Sequence, residues 1–261
     1  MEDSRSLAAL PPIFVISLVR AAERRADISR RLDAAGFAYQ IIDGIDGTKP
    51  EVLSEVPHVL NDRLHRHTRG RALSGGEIGC YLSHYHLWQK IAAEDISCAL
   101  IFEDDARWDD DFAETVADIM AAKQTWDMCL LTTDKGKSPF RKLHPVGNNR
   151  WLGYPLKRTM ALSGYLIKKE AAANLCACLK VIREPVDIAL CRHWEWQGVR
   201  LSVRPHVVGH DEHETTMHNK NAPPSPSLGK RRFYHLIYGG LYKTGEWLRR
   251  IYYYYAQKPG A

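Results

Sequence analysis

The stretch 98–108 constrains the chain most, because a short apolar run ends there in three consecutive carboxylates. About five apolar residues are too few for a helix of their own and favour a buried strand. Glu103, Asp104 and Asp105 then stand at its carboxyl edge, where ligands bind in open α/β sheets. Clustered carboxylates are expected to be solvated, paired with cations or bound to a hard metal ion. Taken alone, the triplet fits a solvated loop or helix cap equally well.

The beginning of the chain predicts a βαβ unit. Ile13–Leu18 has the pattern of a strand, 21–35 that of a helix ending at Gly36, and 37–42 that of a second strand before a turn-rich loop at 43–47. Strand, helix and strand in this order predict a parallel sheet.

Three arginines follow the first strand, at Arg20, Arg24 and Arg25. At a strand end or on a first helical turn, guanidinium groups can hold a diphosphate. Each arginine taken singly is also compatible with a solvated helix face.

The middle of the chain begins with a basic, histidine-rich stretch at 50–71, which predicts a surface loop. Ser74 and Glu77 then have the spacing of a capping box and open a helix that extends to about residue 94. Glycines at 75, 76 and 79 would let this helix start lie close to another backbone or a ligand. His84 and His86 on this helix are weak metal candidates, because helical histidines are more often simply hydrogen-bonded.

The second half predicts further strands and helices. A helix at 110–122, a strand at 126–131, a polar loop at 132–150, a strand at 163–167 and a helix at 169–179 follow in turn. Pro185 and Asp187 then open another helix, whose dipole favours the ionised carboxylate. Asp187 is therefore a candidate general base, although an ordinary acid at a helix start fits the local sequence equally well.

The last predicted strand is 201–208, and a histidine-rich stretch follows it. Imidazole and carboxylate are both metal ligands. One of His206, His210 or His213 would complete a metal site that Asp105 begins.

Charge and cysteine content exclude several classes of protein. The formal net charge is +5, but seven basic residues and one acid lie in the segment 227–261, so the rest of the chain is nearly neutral and offers no nucleic-acid surface. None of the six cysteines forms a CxxC pair, which predicts reduced thiols. No signal sequence or long apolar run is present, and we expect a cytoplasmic protein.

The chain divides into a main domain at 1–218, a proline-rich linker at 219–227 and a basic, aromatic tail at 228–261. At about 100° per residue, one stripe of a tail helix contains Phe233, Ile237, Leu241, Thr244, Leu248, Ile251 and Tyr255. Such a helix suits an anionic membrane surface. Packing on the main domain or on a second subunit in a homodimer is the alternative, and base stacking on the tyrosines is a distant third.

With these elements in place, the chain resembles the bacterial lipooligosaccharide glycosyltransferases of glycosyltransferase family 25. The matching blocks are Ile16-Ser17-Leu18 with the three arginines, Gly76-Glu77-Ile78-Gly79-Cys80-Tyr81-Leu82-Ser83-His84, Leu100-Ile101-Phe102-Glu103-Asp104-Asp105, and Tyr165-Leu166-Ile167 followed by Pro185-Val186-Asp187.

The resemblance implies a GT-A type α/β fold with a Rossmann-like, mostly parallel sheet. It also implies a UDP-sugar donor, commonly UDP-galactose, a Mn²⁺ or Mg²⁺ ion, and inverting transfer to a saccharide or glycolipid acceptor at the cytoplasmic face of the inner membrane. The acidic triplet stands where the family has its DxD-like motif.

The resemblance also implies roles for single residues. Asp105, with Glu103 and His210, is expected to bind the metal ion, and Asp187 to be the catalytic base. The expected donor-binding residues are Ser17, Leu18, Arg20, Arg24, Asp43, Glu77, Ser83, His84, Glu103 and Asp104.

Two other functions remain open at this point. The same acidic strand end would serve a nucleotidyl or phosphoryl transferase, but the chain lacks a GxxxxGK[ST] P-loop. A sugar-nucleotide or saccharide binding module without catalysis is the second alternative.

Overall fold

The structure is a computed structural model that describes residues 10–132, 139–157, 162–210 and 231–256. The strands in these ranges are β1 (Ile13–Leu18), β2 (Tyr39–Gly44), β3 (Cys98–Glu103), β4 (Ala106–Trp108), β5 (Met128–Leu130), β6 (Phe140–Val146), β7 (Arg150–Pro155), β8 (Gly164–Lys168), β9 (Arg200–Arg204) and β10 (Val208–His210). The helices are α1 (Ala22–Ala34), α2 (Pro50–Glu55), α3 (Arg63–Arg69), α4 (Gly75–Ala93), α5 (Phe112–Ala121), α6 (Lys169–Cys178), α7 (Val186–Leu190), α8 (His193–Trp196) and α9 (Arg231–Ala256).

An eight-stranded sheet in the order β2-β1-β3-β8-β5-β9-β7-β6 forms the centre of the fold. Strands β2, β1, β3, β5, β9 and β6 run in one direction, and β8 and β7 run against them. A separate two-stranded ribbon joins β4 to β10. The predicted α/β class and largely parallel sheet are confirmed.

Both faces of the sheet are covered, as the apolar strands require. In β3, Ala99 and Ile101 belong to one buried cluster, and Leu100 and Phe102 belong to the other. The first cluster packs under α4 and α6, whereas the second packs under α1 and α5. A strand that is buried on both faces reads as a continuous apolar run, which is why β3 is recognisable from sequence.

The structure differs from the sequence predictions in three regions. The stretch 50–71 contains α2 and α3 and is not an irregular loop. The stretch 132–150, predicted to be a loop, contributes β6, which pairs with β7 across the turn 147–149. The strand predicted at 201–208 is divided into β9 and β10, with Pro205 between them, because proline has no N–H for a sheet ladder.

The structure describes only part of the predicted tail. Its helix, α9, contacts α3 of the main domain. The predicted linker 219–227 lies outside the described residues, and so do the residues around the predicted domain boundary at 218. In the part of the chain that the structure describes, no helix combines the length and hydropathy needed to span a bilayer.

Candidate active site

The carboxyl ends of β1, β2 and β3 meet at one edge of the sheet. Their register places Ser17 beside Asp43, and it places Glu103 beside the residue before Ser17. Asp104 and Asp105 follow β3 directly, so the strand order brings all of these polar residues to the same edge. We call Glu103, Asp104 and Asp105 the acidic edge.

Asp104 is buried, with 6% of its surface exposed, and it has two partners. The Ser17 hydroxyl donates a 2.8 Å hydrogen bond to Oδ2, and a guanidinium nitrogen of Arg24 lies 3.3 Å from Oδ1. Burial raises the pKa of Asp104, and the hydrogen bond and the cation offset only part of that rise. Asp104 is therefore held in place by β1 and α1.

The carboxylate of Asp105 has fewer hydrogen-bond and cationic partners than that of Asp104. Its Oδ1 is buried and has no hydrogen-bond partner among the described residues. Burial, followed by the charges of Glu103 and Asp104, raises the pKa of Asp105 to about 7. An unpartnered carboxylate oxygen beside two other acids matches the oxygen-rich surroundings that hard divalent cations prefer. The acidic edge therefore fits a Mn²⁺ or Mg²⁺ ion.

Glu103 ends a buried hydrogen-bond chain. The Trp88 indole N–H donates to the Tyr165 hydroxyl at 2.9 Å, and that hydroxyl lies 2.8 Å from His84 Nδ1. His84 Nε2 lies 3.4 Å from Glu103 Oε1. Because the indole can only donate, Tyr165 donates its own proton to Nδ1, which leaves the His84 proton on Nε2, facing Glu103. This chain fixes the side chain of Glu103 from inside the core.

Cys80 stands beside the same pair. The ligating atoms of Cys80, His84 and Glu103 lie within 4.8 Å of one another, a spacing that a metal ion could bridge. The hydrogen-bond chain opposes that use, because a metal on His84 Nε2 would move the proton to Nδ1 and leave the Tyr165 hydroxyl without its acceptor. The hydrogen-bond chain therefore disfavours a metal ion between Cys80, His84 and Glu103.

Asp187 lies in the first turn of α7, near the acidic edge. The Ile188 N–H donates to its Oδ1 at 2.7 Å. Burial, with a further contribution from the charges of Glu103 and Glu77, raises the pKa of Asp187 to about 6. Burial, followed by the charges of Glu103 and Asp187 and then that of Asp105, raises the pKa of the half-buried Cys80 thiol, so these carboxylates lie near one side chain.

Glu77 has its charge fully engaged at the start of α4. It accepts bonds of 2.6 and 2.7 Å from Arg71, and it completes the predicted capping box with Ser74. Burial would raise the pKa of Glu77, but the bonds from Arg71 and Ser74 outweigh it and lower the pKa to about 2. In the structure Glu77 fixes the start of α4.

Ser83 joins α4 to the loop after β2. Its hydroxyl accepts a 2.8 Å bond from the Ile45 N–H and donates a 2.7 Å bond to the Gly79 carbonyl. The two backbones touch here, because a Cβ on Gly79 would lie 2.3 Å from the Ile45 oxygen and one on Gly75 would lie 2.1 Å from the Gly47 oxygen. The predicted close approach of these helical glycines is therefore to the chain's own loop.

The arginines after β1 have acidic partners. Arg25 donates 2.7 Å bonds to the Ser17 carbonyl and to Asp43, and the half-exposed Arg20 pairs with Asp46 at 2.7 Å. Leu18, the last residue of β1, is only partly buried beside them. Arg24, which lies against Asp104, is the arginine that the structure brings to the acidic edge.

His210 is close to the acidic edge along the backbone. It pairs with Ala106 across the β4–β10 ribbon, one residue beyond Asp105, and its side chain is exposed. Its role as a metal ligand stays a prediction. The roles predicted for the other site residues also stay predictions.

Sequence reasoning missed Cys80, Tyr165 and Trp88 as parts of the site. Cys80 and His84 are four residues apart, which is one turn of a helix, and this spacing was the available signal. Tyr165 lies 81 residues from His84, and no local pattern links the two.

Similar proteins give the chain a family. Residues 10–190 match the family described as Glycosyltransferase family 25 (LPS biosynthesis protein). The lipooligosaccharide biosynthesis protein lic2B of Haemophilus influenzae is 28% identical over 176 residues, which is 63% of this chain and 62% of that protein.

Two animal proteins match shorter parts. The procollagen galactosyltransferase 1-A of Xenopus laevis is 30% identical over 125 residues, 46% of this chain and 20% of its own length. The probable inactive glycosyltransferase 25 family member 3 of Rattus norvegicus is 32% identical over 125 residues, 46% of this chain and 22% of its own. The matched region thus spans about a fifth of these animal proteins. Since the family match extends over more than half of the sequence and includes the acidic edge, α4 and Asp187, the chain belongs to glycosyltransferase family 25.

Proposed function

We propose that the protein is a metal-dependent, inverting glycosyltransferase that moves a hexose from a UDP-sugar to a hydroxyl of a saccharide acceptor. Galactose is the first choice of sugar, because one relative is named a procollagen galactosyltransferase. Lipooligosaccharide or another surface glycan is the first choice of acceptor, because the bacterial relative is named a lipooligosaccharide biosynthesis protein. We also propose that the sheet edge formed by β2, β1 and β3 is the donor-binding half of a GT-A type fold.

The observation that carries this proposal is the buried Oδ1 of Asp105, which has no hydrogen-bond partner among the described residues and lies beside two other carboxylates. Burying uncompensated negative charge is costly, so a divalent cation would stabilise this arrangement. Asp105 and Glu103 would hold the ion. When bound, the ion would act as a Lewis acid that stabilises the charge developing on the leaving diphosphate.

Asp187 is the proposed general base. A base works best when its pKa lies near the working pH, and burial raises the pKa of Asp187 to about 6, well above that of an exposed carboxyl. Asp187 takes the proton from the acceptor hydroxyl, whose oxygen attacks the anomeric carbon on the face opposite UDP. The bond between that carbon and the UDP oxygen breaks, UDP leaves with the electron pair, and the configuration inverts.

Arg24 and Ser17 support the donor side. Both contact Asp104, and Arg24 keeps more of its surface exposed than the buried carboxylate does. A guanidinium group at this position suits the diphosphate of the donor. We propose that Arg24 exchanges its contact with Asp104 for a diphosphate oxygen when the donor binds.

The direct test is transfer from labelled UDP-galactose, with UDP-glucose and UDP-hexosamines as competing donors and a panel of saccharide acceptors. We expect transfer in Mn²⁺, its loss in EDTA and its return when Mn²⁺ is restored. The anomeric configuration of the product, read by NMR, tests inversion. Full activity in EDTA would overturn the role given to the acidic edge, and a retained configuration would overturn that of Asp187.

A binding module without catalysis is the second candidate. The name of the Rattus norvegicus relative includes the word inactive, and this favours testing the possibility. Calorimetry that detects UDP binding, together with neither transfer nor donor hydrolysis across the whole panel, would select this function over the first.

A further inference from the structure

The helix α9 is attached to the main domain by buried charge. The carboxylate of Glu246 is 4% exposed and accepts a 2.7 Å bond from Arg192, which is 3% exposed. The same guanidinium lies 2.5 Å from Glu184 and 3.3 Å from Glu195. We call Arg192 and these three glutamates the Arg192 cluster. A buried pair of this kind holds the helix in one rotational setting, because turning it would expose one charge and strand the other.

Aromatic contacts reinforce that setting. Tyr242 lies under the Arg192 guanidinium at 5.2 Å, and the Tyr253 ring meets His193 edge-on at 4.9 Å. Arg250 bonds to Glu246 at 3.3 Å and lies over Trp194. One face of α9 is therefore fully committed to the domain.

The opposite face of α9 is apolar and exposed. Among the described residues, large apolar side chains are exposed at only a few positions elsewhere, and α9 adds a group of them: Leu241 (69%), Trp247 (55%), Leu248 (55%), Tyr252 (68%) and Tyr255 (72%). At 100° per residue, Leu241, Leu248, Tyr252 and Tyr255 fall within about 60° of one another. We call these four residues the outer row. Leu241, Leu248 and Tyr255 belong to the predicted stripe, and Tyr252 lies beside them on the same face.

The charges around the outer row are positive. Lys243 and Arg249 are exposed. At 100° per residue, Arg249 lies about 60° from the nearest residue of the row, whereas Lys243 lies about 120° from it on the other side, next to Arg250. The segment Arg231–Ala256 contains five lysines and arginines and a single acid, Glu246, whose charge is buried against Arg192. An exposed apolar and aromatic row, on a helix with an excess of cations, is the composition of a helix that lies in a membrane interface.

We propose that the outer row of α9 docks the protein on an anionic lipid bilayer. The apolar side chains would enter the boundary between headgroups and acyl chains, and Lys243 and Arg249 would meet the anionic headgroups. Charge complementarity favours a bilayer over a second copy of the chain, because two copies meeting through this face would bring like charges together.

The consequence for the proposed function is one of position. Glu184 and Arg192 precede and follow α7, the helix that carries Asp187. Arg192 pairs with both Glu184 and Glu246, so it connects this region to α9. A bilayer under α9 would thus lie on the side of the domain that adjoins α7, and a lipid-linked acceptor could reach Asp187 from it. This consequence rests on the proposed function, whereas the docking itself does not.

The test is flotation of the full-length protein with vesicles of phosphatidylcholine, alone or with about 30% phosphatidylglycerol, at about 0.1 M salt. We expect binding to the anionic vesicles, and a decrease of about tenfold or more in the bound fraction for the double variant Leu241→Glu, Leu248→Glu. Lys243→Glu with Arg249→Glu should also reduce binding by about tenfold. Met120→Glu, at another exposed apolar position, on α5, is the matched control and should bind like the wild type.

Substitutions are preferable to deletion of the tail, which would leave Arg192 without Glu246. Thermal melting of each variant checks that it is folded, and a blue shift of Trp247 emission with vesicles, absent in Trp247→Phe, reports insertion independently. Wild-type protein that stays in solution, or a double variant that floats like the wild type, would overturn the proposal. So would a dimer by light scattering that the double variant converts to a monomer, because that result assigns the face to a second copy. No sugar enters this assay, so its failure and that of the proposed reaction can be told apart.

Discussion

The acidic edge and the Arg192 cluster both bury charged side chains, and they do so in opposite ways. In the Arg192 cluster, one guanidinium faces three carboxylates, and two of those carboxylates are almost completely buried. At the acidic edge, Arg24 contacts only Asp104 of the three carboxylates, and Asp105 has a buried oxygen with no partner among the described residues. Removing the cation from a buried pair leaves an uncompensated charge and destabilises the fold, whereas a carboxylate that is buried without a cation is a candidate for binding a ligand.

The largest effect is expected on the rate of sugar transfer, at the proposed base near the acidic edge. Asp187→Asn removes the proposed base with little change in shape, and kcat for sugar transfer should fall about 10²–10⁴-fold. Glu51→Gln is the matched control, since Glu51 is also an acid in a first helical turn but is exposed. Steady-state assays in Mn²⁺ measure both. Transfer by Asp187→Asn at the wild-type rate would show that another group takes the proton.

Removing the central cation of the Arg192 cluster should lower the stability of the protein. Arg192→Met removes the cation that pairs with the buried Glu184 and leaves the buried Glu246 with only the longer contact to Arg250, so the free energy of unfolding should fall by about 3–5 kcal/mol. Arg30→Met provides the comparison, because Arg30 is 75% exposed and its ion pair with Asp27 is expected to contribute less than about 1 kcal/mol. Urea unfolding followed by circular dichroism measures both variants. Equal losses would mean that the buried cluster is no more important than a surface pair.

At the acidic edge, removing a charged side chain should stabilise the protein, whereas in the Arg192 cluster it should destabilise the protein. Without metal ions at about pH 8, Asp105→Asn relieves repulsion from Glu103 and Asp104, and the free energy of unfolding should rise by about 1–2 kcal/mol. The same variant should lose the increase in melting temperature that Mn²⁺ gives the wild type. Asp110→Asn, at an exposed position, serves as the control. Destabilisation by Asp105→Asn would contradict the contrast between the two clusters.

The last prediction concerns pH. Burial raises the pKa of Asp187 from 3.8 to about 6 in the folded protein, so the folded state binds this proton more tightly than the unfolded state does. The contribution of Asp187 to stability should therefore decrease as pH rises from about 4 to about 6, by up to about 3 kcal/mol, and stay constant above that range. Unfolding of the wild type and of Asp187→Asn at several pH values isolates this contribution. A difference that is flat across the range would contradict it.

Much of the fold could be predicted because local patterns determine it. β1 and β3 are continuous apolar runs, and the capping box marks the start of α4. β6 could not be recognised in this way, because Phe140–Val146 is polar, contains Pro145 and becomes a strand only by pairing with β7. The direction of β8, which runs against its neighbours, also has no signature in the periodicity.

The site follows the same division. The acidic edge was predictable, since the three carboxylates end or directly follow one recognisable strand, β3. The partners that distinguish Asp104 from Asp105 were not, because Ser17 and Arg24 lie more than 75 residues away in sequence. The periodicity of α9 gave the apolar stripe, but it could not show that the opposite face contacts the domain, since that depends on the single acid Glu246 meeting Arg192.

The chain of hydrogen bonds that ends at Glu103 has a consequence for proton traffic. An indole nitrogen keeps its proton at any pH at which the protein stays folded, so no proton can pass along the hydrogen-bond chain through Trp88. Tyr165 cannot pass a proton inward, and His84 can gain one at Nδ1 only by giving up the hydroxyl that it accepts. The chain therefore fixes Glu103 in place and does not conduct protons, so any proton that reaches or leaves Glu103 must travel by a route other than His84, Tyr165 and Trp88.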